Sequence, residues 1–306
     1  MKLSIVATLY ESSPHINEFY QRASAAARQL VNDDYEIVLV NDGSPDKSLK
    51  RALEIREKDD RVVVADLSRN FGHHKAIKAG LSLARGDVIF LIDSDLEEAP
   101  ELLNRFWDRF FGTDNPDVVY GVQKRRKGTV FERVSGRIFY KILNGLLTDG
   151  SYPEDTLTAR LMTKEYVAAV LTFDDREYDI SCNFMLAGFV QIPIEADKGH
   201  KRESHYTLPR KINMATETIT STSSRPLAMI FVLGVCMSLF SFLYLLYVLT
   251  MKMFYDVLIG WTGIIASIWL IGGLVMLSLG VIGIYISKIF IETKNRPDFI
   301  IRKIYR

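Results

Sequence analysis

Apolar positions in the N-terminal part of the chain come in short blocks rich in β-branched residues. "LSIVATL", "YEIVLVND", "RVVVADLS", "DVIFLIDSD" and "PDVVYGVQ" follow one another at intervals. Between them lie longer stretches, such as "HINEFYQRASAAARQL" and "HHKAIKAGLSLA", of helical length. Strands alternating with helices predict an α/β domain: a mainly parallel, Rossmann-like sheet with helices on both faces. Ligands of such sheets bind beyond the carboxyl ends of the strands.

The pattern changes near the end of the chain. Neither Leu227–Met251 nor Val257–Ser287 contains a charged residue. A membrane crossing takes about 20 apolar residues, so both stretches are long enough. The connection, Lys252 to Asp256, is short, which predicts a hairpin of two transmembrane helices. Lys201, Arg202, Arg210, Lys211 and Arg225 precede the pair, and Lys288, Lys294, Arg296, Arg302, Lys303 and Arg306 follow it, while the connection offers only Lys252. That asymmetry places the preceding domain and both termini in the cytoplasm. The expected division is a catalytic domain over 1–206, a juxtamembrane amphipathic segment over 207–226, two spans within 227–287 (about 227–251 and 258–287), and a basic cytoplasmic tail over 288–306. "RVSGRIFYKILNGLL", Arg133 to Leu147, has one basic and one apolar face; it fits both a headgroup-layer helix and an ordinary helix on the core.

Composition narrows the function. The chain has 306 residues, of which 48% are hydrophobic and 25% charged, enough for a packed core beside the membrane part. A net charge of +1 argues against a nucleic-acid partner held by bulk charge. Cys182 and Cys236 lack metal-ligand spacing and make no disulfide framework. "MKLSIVATLYE" is too short for a signal peptide and reads as a first strand.

Polar groups gather where the predicted strands end. The first runs into Thr8, Tyr10 and Glu11, the second into Asn41-Asp42-Gly43-Ser44, the third leads to "SRNFG", and the fourth delivers Asp93-Ser94-Asp95. Neither G-x-x-x-x-G-K-[ST] nor G-x-G-x-x-G occurs, so no glycine cradle holds a phosphate here. Carboxylates at i and i+2 can share Mg²⁺ or Mn²⁺, which completes its octahedron with phosphate oxygens and water. The same acids also fit a turn that caps a helix, since "DLEEAPE" makes a good helix start. His73 and His74 either touch a ligand or flank a helix, and His200 and His205 show no metal spacing.

The order "VNDGSPDKS", "RNFGHHKAIKAGL", "ARGDVIFLIDSDLEEAPE" and then two apolar spans resembles the polyprenyl-phosphate glycosyltransferases of glycosyltransferase family 2. These include dolichyl-phosphate mannose synthases and bacterial undecaprenyl-phosphate glucosyl- and aminoarabinosyl-transferases. The resemblance implies a GT-A fold in a bacterial inner (plasma) membrane. It implies transfer of a hexose, with UDP-glucose as the expected donor, to a polyprenyl phosphate such as undecaprenyl phosphate, for lipopolysaccharide or O-antigen modification. The partners implied are the nucleotide-sugar, the lipid phosphate, the bilayer and a homo-oligomer. The alternative is a membrane-anchored family 2 enzyme with a saccharide acceptor. A processive synthase is disfavoured because Trp107, Trp261 and Trp269 do not form Q-x-x-R-W.

By the same resemblance, Asp42 contacts the nucleoside, Asn70 and Gly72 line its pocket, and Thr8, Tyr10, Glu11, Asp93 and Ser94 complete the donor site. Asp93, Asp95 and Glu97 are the expected ligands of Mg²⁺ or Mn²⁺, with Glu97 replacing a glutamine frequent in the family. Asp95 with Arg126, Arg160 and Arg202 makes the expected catalytic set, and Arg133 is a further phosphate candidate. "LTARLM" keeps Arg160 but puts Thr158 where relatives often have an acid, and "HKRESHY" loosely matches a membrane-proximal phosphate motif. A lipid phosphate is already anionic, so as nucleophile it needs little help from a base; one in-line displacement predicts inversion at the sugar carbon. Arginines would hold the phosphate in a fork, though basic residues facing a membrane are also drawn to its headgroups.

Overall fold

In the computed structural model, residues 2–112, 114–123, 156–174, 180–196, 225–254 and 261–306 are described. The chain divides into two units, one built on the N-terminal region with residues 296–306, the other holding the apolar helices.

The first unit is organised by an eight-stranded sheet. Its strands are β1 (Leu3–Leu9), β2 (Tyr35–Asn41), β3 (Val62–Leu67), β4 (Val88–Leu91), β5 (Val118–Gln123), β6 (Thr156–Thr163), β7 (Gln191–Ala196) and β8 (Ile301–Tyr305), in the spatial order β7-β5-β6-β4-β1-β2-β3-β8. The centre, β4-β1-β2-β3, is parallel throughout. β6 and β8 run antiparallel to β4 and β3 at its two sides. The mainly parallel α/β sheet expected from the alternating pattern is present, extended by antiparallel strands into a mixed, GT-A-like sheet.

Both faces of the central strands are covered, which is why their sequences are continuously apolar rather than alternating. All seven residues of β1 and of β2 are buried. Leu3, Ile5 and Leu9 pack with α1 (Ile16–Val31), α2 (Ser48–Arg56) and α4 (Leu102–Phe110) on one face. Val6, Val38 and Val40 pack with α3 (His73–Leu83), α5 (Lys164–Leu171) and α6 (Ile180–Leu186) on the other. On α4, Leu102, Leu103, Phe106 and Phe110 make one apolar stripe, and Phe106 meets Phe90 edge to face at 6.0 Å. Each such fully buried side chain contributes about 2 kcal/mol.

The second unit contains α7 (Arg225–Phe254), of 30 residues, and α8 (Trp261–Thr293), of 33. Among the described residues one segment, Ile271–Thr293, is long and apolar enough to cross a membrane; Arg225–Met237 is apolar but shorter. α8 continues past Ser287, where the second span was expected to end. The expected basic tail also differs from what is found. Instead of remaining a tail to Arg306, the chain re-enters the first unit, and Ile301–Tyr305 becomes the edge strand beside β3. Only Ile301 and Tyr305 of that strand are partly buried, and the basic residues between them mask the strand signal.

Candidate active site

The strand order sets the geometry of the site. β2 and β3 lie to one side of β1 and β4 to the other, so the direction of winding reverses between β1 and β4. A crevice forms beyond the carboxyl ends of strands at such a switch point. Thr8 and Tyr10 at the end of β1 thereby lie next to Asp93 and Ser94 at the end of β4. Ser94 is buried, and its hydroxyl donates to the Thr8 carbonyl at 2.7 Å and meets Ser12 Oγ at 2.9 Å. Its side chain thus ties the two strand ends together rather than lining the crevice. Tyr10 is half exposed, and the Glu11 N–H donates to Ser44 Oγ at 2.8 Å from a left-handed backbone (φ 53°).

Asp42 is buried and accepts from the N–H groups of Phe71 (2.7 Å) and Gly72 (3.0 Å). It fixes the loop between β3 and α3 from across β2, and each oxygen keeps a lone pair. The next residue has to be glycine. Gly43 sits at φ +59°, and a Cβ there would come within 2.3 Å of the Asn70 backbone nitrogen. Asn70 itself is exposed at this edge, with Arg69 folded over the Phe71 ring at 4.1 Å.

The acids after β4 are treated unequally. Asp93 is half-buried: Thr158 Oγ1 on β6 donates to its Oδ2 at 2.8 Å, and His73 Nε2 lies 3.5 Å from its Oδ1. The other His73 nitrogen meets Thr8 Oγ1 at 3.2 Å, so this histidine, at the first turn of α3, spans both strand ends. Asp95 is exposed, and its Oδ1 accepts from the Glu97 N–H at 2.9 Å. Leu96 between them is left-handed (φ 62°). Glu98, 1% exposed, accepts from the N–H groups of Thr158 (3.0 Å) and Ala159 (2.7 Å). This buried carboxylate clamps the acid turn onto β6 and presents Thr158 to Asp93. Nothing in the one-dimensional pattern singles out Glu98 from Glu97 beside it.

Among the described residues no three of His, Cys, Asp and Glu come together to hold a metal ion. Asp93, Asp95 and Glu97 are therefore not gathered as a three-ligand set. The Asp95 hydrogen bond and the left-handed Leu96 turn the chain between the two acids. Asp93 and Asp95 alone still suit Mg²⁺ or Mn²⁺, which take one or two carboxylates and draw their other ligands from phosphate and water.

Arg160 lies two residues beyond Thr158 on the same face of β6, opposite Leu91. It is buried, with its guanidinium 3.7 Å above the Phe184 ring. Burial pushes its pKa down to about 10, with nearby Tyr166 and Glu98 opposing the shift. Arg126, Arg133, Arg202 and the segment 207–224 lie outside the described residues.

The hydrogen bond to Asp93 is testable. Thr158→Val is expected to lower kcat about tenfold to a hundredfold, the worth of a hydrogen bond to a charged group. Thr158→Ser keeps the hydroxyl and should stay within about threefold of the parent. A Thr158→Val variant that stayed within about threefold of the parent would show that the hydroxyl does not matter.

A mixed sheet whose polar residues gather beyond the strand ends at its switch point is the class of α/β fold that binds its ligands at that edge. The Glycosyl transferase family 2 profile matches residues 4–171, from β1 to the end of α5, and the chain belongs to that family. A Mycobacterium tuberculosis (strain CDC 1551 / Oshkosh) protein named only as a glycosyltransferase is 44% identical over all of this chain and 89% of its own length. The Bacillus subtilis (strain 168) glycosyltransferase YkcC, of uncharacterised activity, is 36% identical over all of this chain and 94% of its own. Undecaprenyl-phosphate 4-deoxy-4-formamido-L-arabinose transferase of Pseudomonas paraeruginosa (strain DSM 24068 / PA7) is 28% identical over 99% of this chain and 90% of that one.

Proposed function

We propose that this chain transfers a hexose from a nucleotide-sugar, UDP-glucose in the first instance, to a polyprenyl phosphate such as undecaprenyl phosphate. The observation that carries the reading is the similarity to an undecaprenyl-phosphate sugar transferase over 99% of this chain, apolar helices included. The exposed Asp95 and half-buried Asp93 at the switch point support a donor diphosphate there.

In this reading a lipid phosphate oxygen attacks the anomeric carbon. The bond from that carbon to the diphosphate oxygen breaks, and the nucleoside diphosphate leaves with the electron pair. The attacking oxygen is already anionic, so no residue has to take a proton from it. Mg²⁺ or Mn²⁺ on Asp93 and Asp95 would offset the charge of the leaving diphosphate. Thr158 and Glu98 hold Asp93 and its turn in place, while Asp42 orders the loop carrying Asn70 and Gly72. Arg126, Arg133, Arg160 and Arg202 are the acceptor-phosphate candidates.

Connectivity supports a two-crossing anchor. β7 precedes the apolar helices and β8 follows them, yet both belong to one sheet. A single crossing would leave the two strands on opposite sides of the bilayer. If α8 spans, a second crossing must come before it, and α7 is the apolar helix available. The basic flanks support a cytoplasmic side for the sheet.

The test is a screen of nucleotide-sugars with the purified protein in detergent, with and without undecaprenyl phosphate. The expected result is donor consumption that requires the lipid phosphate, and a phosphodiester-linked sugar of inverted configuration. Transfer to a saccharide with none to the lipid phosphate would replace the acceptor assignment. A product that retained the donor's configuration would remove the single displacement.

A further inference from the structure

The chain that returns from α8 does more than close the sheet. It enters at the carboxyl end of β3, the edge where Asp42 and the 68–72 loop stand. The Ser68 N–H donates to the Ile300 carbonyl at 2.9 Å. Arg302 then turns its guanidinium onto the same point, donating to the Ser68 carbonyl at 2.7 Å and lying 3.6 Å from Asp66 Oδ2. Asp66 is buried, and its other oxygen accepts from Asn41 Nδ2 at 2.8 Å. Asn41 Oδ1 accepts from the Ser44 N–H at 3.4 Å, and Ser44 Oγ accepts from the Glu11 N–H at 2.8 Å. A polar chain thus runs from the C-terminal strand along the ends of β3, β2 and β1, beneath the loops of the donor site.

We propose that Arg302 is a positioning residue for the nucleotide-sugar: it sets the 68–72 loop and the Asn41–Ser44 turn for the nucleoside. The inference rests on the donor lying at this edge. The physical ground is charge and reach. Asp66 and Asn41 are both buried polar groups, and a buried carboxylate is costly without a cationic or hydrogen-bonding partner. Arg302 offers a fixed fork that joins the Asp66 carboxylate and the Ser68 carbonyl, which no ammonium reproduces. Its side chain is 63% exposed against 5% for Asp66, so solvent screens the pair. The effect should fall on loop placement rather than on global stability.

The experiment uses the full chain in detergent and measures UDP binding by calorimetry, alongside donor and lipid-phosphate kinetics. Arg302→Ala is expected to raise the UDP dissociation constant and the donor KM by about threefold to tenfold, the range for a partly screened charged contact. The kcat and the KM for undecaprenyl phosphate should stay unchanged. Arg302→Lys should recover only part of the binding, and Lys303→Ala, on the same strand, should bind UDP as the parent does. Unchanged UDP affinity in Arg302→Ala overturns the proposal. An equal loss in Lys303→Ala also overturns it, because the strand and not the guanidinium would then be responsible. If the parent binds none of UDP, GDP, CDP or ADP, the donor-site reading falls and the inference with it.

Discussion

Asp95→Ala is expected to lower turnover by about three orders of magnitude or more, while the protein folds and is recovered as the parent. Asp95 is exposed, and its described contact is with the Glu97 N–H inside its own turn. Losing such an exposed turn hydrogen bond costs stability about 1 kcal/mol. The catalytic cost is of another size. Charge compensation on a leaving diphosphate is worth several kcal/mol, and each 1.36 kcal/mol is tenfold in rate. Turnover measured against Mg²⁺ and Mn²⁺ concentration checks the claim, with direct Mn²⁺ binding in the presence of UDP as the second readout. A variant that kept more than a tenth of parental turnover and bound Mn²⁺ normally would remove Asp95 from the site. Asp93→Asn should be as severe, and it tests a further point: the amide cannot serve both the Thr158 hydroxyl and a cation as the carboxylate can.

The second large effect is on stability. Lys78 on α3 is buried and donates to Asp298 Oδ2 at 2.6 Å and to the Phe173 carbonyl at 2.8 Å. Asp298, equally buried, lies between the end of α8 and the start of β8. Removing one partner of a buried ion pair leaves a charge in a poor solvent and costs about 3–5 kcal/mol. Asp174 Oδ1, 3.8 Å from Lys78, remains to compensate in part, so the lower end applies to Asp298→Ala. In a domain of this size each 1 kcal/mol moves Tm by about 2–4 °C, giving a drop of roughly 6–12 °C. A double replacement, Lys78→Met with Asp298→Leu, should recover most of it, because two apolar residues of similar volume leave no buried charge. Thermal unfolding of the four proteins in detergent makes the cycle. A double variant as unstable as the sum of the single ones would mean that the two residues act independently.

The legible features were those written into neighbouring residues. β1 to β4 show as short β-branched runs because both faces of the central sheet are buried, so every position is apolar. Asp93 and Asp95 stand out in the sequence as two acids one residue apart just after an apolar strand. Glu97 and Glu98 look alike in a local window, yet it is Glu98 that accepts from the backbone of β6. Arg160 was legible as a motif residue, yet its burial against Phe184 depends on α6, which packs there from elsewhere in the chain.

By itself, the sequence determined the α/β alternation, the acids and glycines at strand ends, and the long apolar helices. Each is a matter of periodicity or of short-range chemistry, which a local window records. Only the tertiary structure decided that β4 lies against β1, so that His73 sits between Asp93 and Thr8, and that β6 supplies Thr158. It alone brought the residues after α8 back beside β3, joining Arg302 to Asp66 and Asp298 to Lys78. Pairings between residues so far apart in sequence leave no periodic trace. They arise because an open sheet edge and a buried lysine each need a partner, wherever along the chain it stands.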